Sequence, residues 1–194
     1  MIFSPNPAGN FSISRLGDVP AFAPVLAAAH AREWGHLYAN WNREVALADF
    51  EMEKSSMDLP ATWVIHHPSG PLMGSISLVK DDLPGVPDLN PWLASLFVFP
   101  EFRGRGLGRI LVQKALESVR RQPILDLYLF NQNQVLFFSK FNFVIHGSAQ
   151  ANRYPVTIMK WTMPASAKAA SRRGVLKLSD HHRAGDQLRL DSET

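Results

Sequence analysis

The sequence predicts one α+β domain, and three observations predict it. Short apolar or alternating runs, separated by Gly-, Pro- and Asn-rich turns, recur as about seven strands. Stretches with apolar residues at helical spacing lie between them as about four helices. One Gly- and Arg-rich turn, Arg103-Gly104-Arg105-Gly106-Leu107-Gly108-Arg109, joins an apolar strand to the most regular of those helices. The rest of the chain is arranged around that turn.

Composition narrows the function before any motif is read. A chain of 194 residues suits a single domain with room for a sizeable core. An apolar fraction of 46% and a charged fraction of 19% are ordinary for a globular protein. The net charge of +3 is mild, and much of the basic excess sits in the turn and in a C-terminal segment. Lys168, Arg172, Arg173 and Lys177 are too few to form the strong basic face that nucleic acid requires, so no nucleic-acid partner is expected. There is no cysteine, hence no disulfide framework and no thiol nucleophile. The sequence has neither a secretory signal pattern nor an apolar run of about 18 residues, so no membrane partner is expected and a cytoplasmic location is the default.

The elements follow in order. Residues 1–10 hold prolines and a glycine and read as an irregular lead-in. Residues 11–16 alternate apolar and polar as a first strand. Asp18 is placed to cap a helix from about residue 19 to 34. Trp34, His36, Tyr38 and Trp41 then gather around Gly35 in an aromatic corner, before a second helix over about 43–55. Residues 62–67 and 72–80, joined by Pro68-Ser69-Gly70-Pro71, read as a hairpin. His66 and His67 lie within it without a third ligand at sensible spacing, so no metal is expected. A long loop over 81–91 carries three prolines and Asp81, Asp82 and Asp88; its acids would attract a cationic substrate. The fourth strand covers 92–99. After the turn and its helix come a fifth strand (124–130), a short helix (135–141), a sixth strand from 143 and a seventh at 155–162. Residues 11–163 therefore form the expected domain. Residues 164–194, rich in Ala, Ser, Lys and Arg, read as a flexible tail.

The turn has the chemistry of a diphosphate site. The first amides of a helix lack intrahelical partners and face anions with the positive end of the helix dipole. Glycine lets backbone approach the anion, and arginine adds charge-assisted donors. A P-loop would need Gly-Lys-Ser/Thr, whereas Gly108 is followed by Arg109 and Ile110. The dinucleotide fingerprint Gly-x-Gly-x-x-Gly has different spacing. The pattern that fits is Arg-x-x-Gly-x-Gly, filled by Arg103, Gly106 and Gly108.

With that pattern between a strand and a helix, with Leu96-Phe97-Val98-x-Pro100 before it and Phe137-Phe138-Ser139-Lys140-Phe141-Asn142-Phe143 after it, the sequence resembles the GCN5-related N-acetyltransferase (GNAT) family over about residues 11 to 163. The resemblance implies a three-layer α/β/α acyl-coenzyme A N-acyltransferase fold, whose mixed, mostly antiparallel sheet is splayed at strands four and five. It implies acetyl-coenzyme A as acyl donor and direct transfer to an amine of a small molecule or peptide. It places the pyrophosphate on Arg103 through Arg109 and the pantetheine arm along Leu96, Phe97 and Val98. It puts an asparagine, Asn131 or Asn133, on the same arm, and Trp34, His36, Tyr38 and Trp41 beside the acceptor. A homodimer is one assembly it leaves open.

The chemical end is less complete. Transfer to an amine needs a base, a donor to the thioester carbonyl and an exit for the thiolate. The fourth strand holds Ser95 but no acid. The candidates for the base are Asp82, Asp88, Glu33, His36 and Asp126, of which Asp126 on the fifth strand and Asp82 in the preceding loop enter the candidate site. Where the family usually has a tyrosine to protonate the thiolate, this chain has Phe138, which has no proton to give. That departure keeps a second reading open: an acyl-coenzyme A-binding module with little or no catalysis.

Overall fold

A computed structural model describes residues 10–52 and 59–165. The expected lead-in up to residue 9, the expected end of the second helix near 55 and the tail from 166 onward lie outside the described residues.

Seven strands form one sheet: β1 (Ser12–Arg15), β2 (Ala61–His66), β3 (Leu72–Val79), β4 (Trp92–Val98), β5 (Asp126–Asn131), β6 (Val144–Ala151) and β7 (Tyr154–Thr162). Their spatial order is β1-β2-β3-β4-β5-β7-β6. All neighbours are antiparallel except β4 and β5, which run parallel and are paired through Trp92 and Tyr128. The Tyr128 N–H donates to the Pro91 carbonyl at 3.0 Å, so the two strands are tied where they start. No paired residues follow toward Val98 and Asn131. The sheet is thus splayed at strands four and five, as the family resemblance implies.

Among the described residues four α-helices flank it: α1 (Ala23–Trp34), α2 (Arg43–Met52), α3 (Leu107–Val119) and α4 (Val135–Ser139). Helix α1 starts later than its capping signal suggests. Asp18 and Pro20 lie in two consecutive 3-10 turns, and no side chain caps Ala23. Proline fits such a turn because it lacks the N–H that a longer helix would have to satisfy. Asn42 does cap α2: its Oδ1 accepts the Val45 N–H at 3.0 Å.

The sheet is covered on both faces, and the burial of β2 shows it. All six of its residues are buried, because alternate side chains go to different helices. Trp63 and Ile65 join the core under α3, with Leu111, Val112, Ala115 and Val119. Val64 joins the core under α1 and α2, with Leu26, Ala27, Ala46 and Phe50. A third cluster, including Leu37, Leu83, Trp92, Val156 and Ile158, ties the loops after α1 and β3 to the centre of the sheet. No described helix is long and apolar enough to cross a membrane.

Candidate active site

Strand β4 carries the first unusual feature. Ser75 of β3 pairs with Phe97, and Ser77 pairs with Ala94, so β3 advances two residues while β4 advances three. The extra residue makes a β-bulge, which bends a strand and leaves backbone groups out of the ladder. Ser95 lies in it with φ of 53°, a left-handed conformation that costs a non-glycine residue about 1–2 kcal/mol. Downstream, the open side of β4 is free of β5.

The Gly-rich turn caps that open end. Gly104 and Gly106 have φ of 78° and 80°, and a Cβ built on either meets nothing within 4 Å. The backbone is therefore open to a ligand at both. Gly106 precedes α3, and Leu107, which opens it, is packed into the core at 1% exposure. The Arg103 Nε donates to the Val98 carbonyl at 2.9 Å, and its guanidinium lies 6.0 Å from the Phe97 ring. Arg105 donates to the Glu101 carbonyl at 3.0 Å and lies over Phe102. Arg109 is exposed. Backbone and aromatic contacts thus hold two of the three arginines in place.

A cleft of about 1020 Å³ runs from this turn into the splay. At one end it is lined by Leu96, Phe97, Val98, Arg103, Gly104, Gly108, Asn131, Asn133, Phe137 and Phe138. At the other it is lined by Trp34, Tyr38, Trp41 and Phe50, with Glu33, Asp49, Asp81 and Asp82. The strand end, the turn, both asparagines and three of the four aromatic-corner residues are brought together in one space.

Other candidates are placed elsewhere. Asp126 is at the start of β5, the opposite end from Asn131, and does not line the cleft. Lys160 pairs with its Oδ2 at 2.9 Å and Thr162 donates to its Oδ1 at 2.8 Å. His36 is exposed outside the cleft, edge-on to Tyr154 at 4.8 Å. Asp88 does not line the cleft either.

The two asparagines differ in what they are free to do. The buried Asn131 accepts the Gln134 N–H on Oδ1 at 2.7 Å, which closes the turn leading into α4. Asn133 is exposed on the rim, with Gln134 Nε2 donating to its Oδ1 at 3.1 Å. Phe138, 8% exposed, packs edge-on against Phe137 and Phe143.

Asp82 and Tyr38 form the most polar contact at the acceptor end. The Tyr38 hydroxyl donates to Asp82 Oδ1 at 2.7 Å. Burial raises the Asp82 carboxyl to about 6, and the hydrogen bond from Tyr38 opposes that rise. Burial and the adjacent carboxylate raise the Tyr38 phenol well above its usual value, so it stays protonated and donating.

Sequence reasoning missed His30. It lines the cleft, is 1% exposed, and bonds Ser75 Oγ through Nε2 at 2.9 Å. Burial lowers its pKa to about 3. A signal was present: His30 is four residues after Leu26 and three after Ala27, on the inward stripe of α1. Among the described residues no group of three or more His, Cys, Asp or Glu side chains is placed to hold a metal ion.

Comparison with known proteins agrees with this geometry. Residues 59–145 match the family model described as the acetyltransferase (GNAT) domain. No curated protein matches the chain in sequence. Among solved structures, yncA of Salmonella typhimurium, solved with its cofactor acetyl-CoA, aligns with a TM-score of 0.62 at 16% identity, over 81% of this chain and 96% of that one. Aminoglycoside 6'-acetyltransferase type Ii aligns at 0.59 and 19% identity, over 79% and 98%. The PaiA N-acetyltransferase of Thermoplasma acidophilum, in complex with coenzyme A, aligns at 0.54 and 17%, over 79% and 99%. At these identities the likeness is one of fold.

Proposed function

We propose that this chain, whose residues 59–145 match the acetyltransferase (GNAT) domain, transfers an acetyl group from acetyl-coenzyme A to a primary amine of a small molecule or peptide. One observation carries the reading: a single cleft joins the Gly-rich turn, the unpaired end of β4 and a half-buried carboxylate, Asp82. The residues present fit the acyl donor. Gly104 and Gly106 leave open backbone for a pyrophosphate, α3 offers its first amides, and Arg103 lines the same wall. The end of β4 runs beside the splay, where an extended pantetheine arm can lie against its backbone. Asn133 on the rim is better placed for that arm than Asn131, whose carboxamide oxygen accepts the Gln134 N–H in the turn before α4.

The chain's own groups then do three things. Acids at the acceptor end draw in a cationic amine, and Trp34, Tyr38 and Trp41 exclude water around it. Asp82 takes the proton that the amine must lose; with a pKa of about 6 it is ionised at neutral pH and more basic than an ordinary carboxylate. Bulge amides of β4 donate to the carbonyl oxygen as charge builds there. A C–N bond forms between amine and acetyl carbon, the C–S bond breaks with its electron pair leaving on sulfur, and the thiolate takes a proton from solvent, since Phe138 has none to give.

Calorimetric titration with acetyl-coenzyme A, paired with thiol release over a panel of amines and peptides, tests this. Micromolar binding with turnover of at least one acceptor is expected, and absence of binding to millimolar concentration overturns it. The second reading, a binding module without turnover, rests on Phe138 and is selected if the cofactor binds and no acceptor releases thiol.

A further inference from the structure

Ser95 is a non-glycine residue at φ of 53° in the bulge of β4. Such a conformation persists where surrounding contacts over-determine it. Two buried side chains supply those contacts. Ser75 Oγ, on a residue with 0% exposure, donates to the Ser95 carbonyl at 3.3 Å. His30 Nε2 lies 2.9 Å from the same Oγ. The direction of the chain is settled by chemistry. A carbonyl only accepts, so the Ser75 proton points at Ser95, and Ser75 accepts from His30 Nε2–H. His30 therefore carries its proton on Nε2, and burial keeps the ring neutral. Edge contacts to Trp34 at 4.9 Å, Phe50 at 5.5 Å and Phe97 at 5.9 Å hold the ring in place.

A trans peptide is planar, with its C=O and N–H on opposite sides. Holding the Ser95 oxygen on Ser75 therefore turns the Leu96 N–H away from Ser75, and both Ser95 and Leu96 line the cleft. We propose that His30 and Ser75 are positioning residues that fix the bulge of β4, so that its amides meet the acyl carbonyl in a set direction. The inference rests on the acetyltransferase reading and adds to it a chain running from a helix through a strand to the reacting group. His30 acts through Ser75 and does not exchange protons with the acceptor.

The test is the infrared carbonyl band of [1-13C]acetyl-coenzyme A bound to the full-length protein. Wild type is expected to shift the band to lower frequency. Ser75→Ala is expected to bind acetyl-coenzyme A within about twofold of wild type, to lose most of the band shift, and to lower kcat about tenfold or more at unchanged KM. Ser75→Thr, which keeps a hydroxyl, is expected to recover band shift and rate. Wild type that does not bind acetyl-coenzyme A overturns the acetyltransferase reading and this inference together. Binding with the same band shift in wild type and Ser75→Ala overturns this inference alone. Should Ser75→Ala fail to fold, 15N NMR of histidine-labelled wild type decides. The Nε2–H tautomer, neutral from pH 5 to 8 and with a slowly exchanging proton, is expected for His30, and an Nδ1–H tautomer overturns the proposal.

Discussion

The Tyr38 hydroxyl donates a 2.7 Å hydrogen bond to Asp82 Oδ1, across 44 residues of sequence, at the acceptor end of the cleft. Burial raises the carboxyl to about 6 and this bond holds it from rising further. With Asp82 as base, activity should fall as pH drops through about 6, because the protonated acid cannot accept the amine proton. Asp82→Asn should remove that limb and lower kcat by about 10²–10⁴-fold. Tyr38→Phe should move the limb to higher pH, since a donor that stabilises the carboxylate is lost. A pH–rate profile of the three proteins checks this, and an unchanged limb in Asp82→Asn rules the role out. Stability runs with the opposite sign. A carboxyl raised in the folded state binds its proton more tightly there, so its contribution falls as pH rises from about 4 through about 6. Asp82→Asn should flatten that part of the melting profile.

Gly106 tests the turn. Its φ of 80° costs an alanine about 1–2 kcal/mol, although space for a Cβ is open. Gly106→Ala should thus lower thermal stability modestly and weaken acetyl-coenzyme A. Gly106→Glu adds a negative charge beside the helix amides and should abolish calorimetric binding. Retained micromolar affinity in Gly106→Glu would place the pyrophosphate elsewhere.

The two asparagines should separate cleanly. Asn131→Ala removes the acceptor for the Gln134 N–H and should cost about 1 kcal/mol of stability, read by chemical denaturation. Asn133→Ala should leave the melt unchanged and raise KM for acetyl-coenzyme A several-fold. The reverse pattern would assign the cofactor contact to Asn131.

Phe138→Tyr restores a phenol at the position where the family usually has one. The ring is 8% exposed beside Phe137 and Phe143, so the hydroxyl must fit next to an aromatic cluster. If thiolate departure limits turnover, single-turnover thiol release should speed up with KM unchanged. No change would show that solvent already protonates the leaving group fast enough.

Where local pattern and tertiary role coincide, the site was legible in the sequence. The Arg103 to Arg109 turn is contiguous, and its glycines, arginines and following amphipathic helix all act within one stretch of chain. The strands were legible for the same reason, since burial on one or both faces shows as alternation or an apolar run. The acceptor end was not. Asp126 and Asp82 look equivalent as acids beside strands, yet Asp126 is bonded to Lys160 and Thr162 while Asp82 meets Tyr38 from another element. Asn131 and Asn133 look interchangeable until Asn131 is seen to be buried and bonded within the turn before α4 while Asn133 is exposed on the rim. His30 lay on a readable inward stripe, but its partner Ser75 is 45 residues away.

By itself the sequence determined the strands, the helices and the diphosphate-type turn, because these depend on periodicity, glycine at positive φ and the orphan amides of one helix start. Only the tertiary structure decided that Asp82 meets Tyr38 in the cleft while Asp126 is tied to Lys160 and Thr162, and that a buried histidine and serine hold the bulge of β4. Those outcomes depend on side chains that meet across 20 to 45 residues, and desolvation at such meetings sets their chemistry.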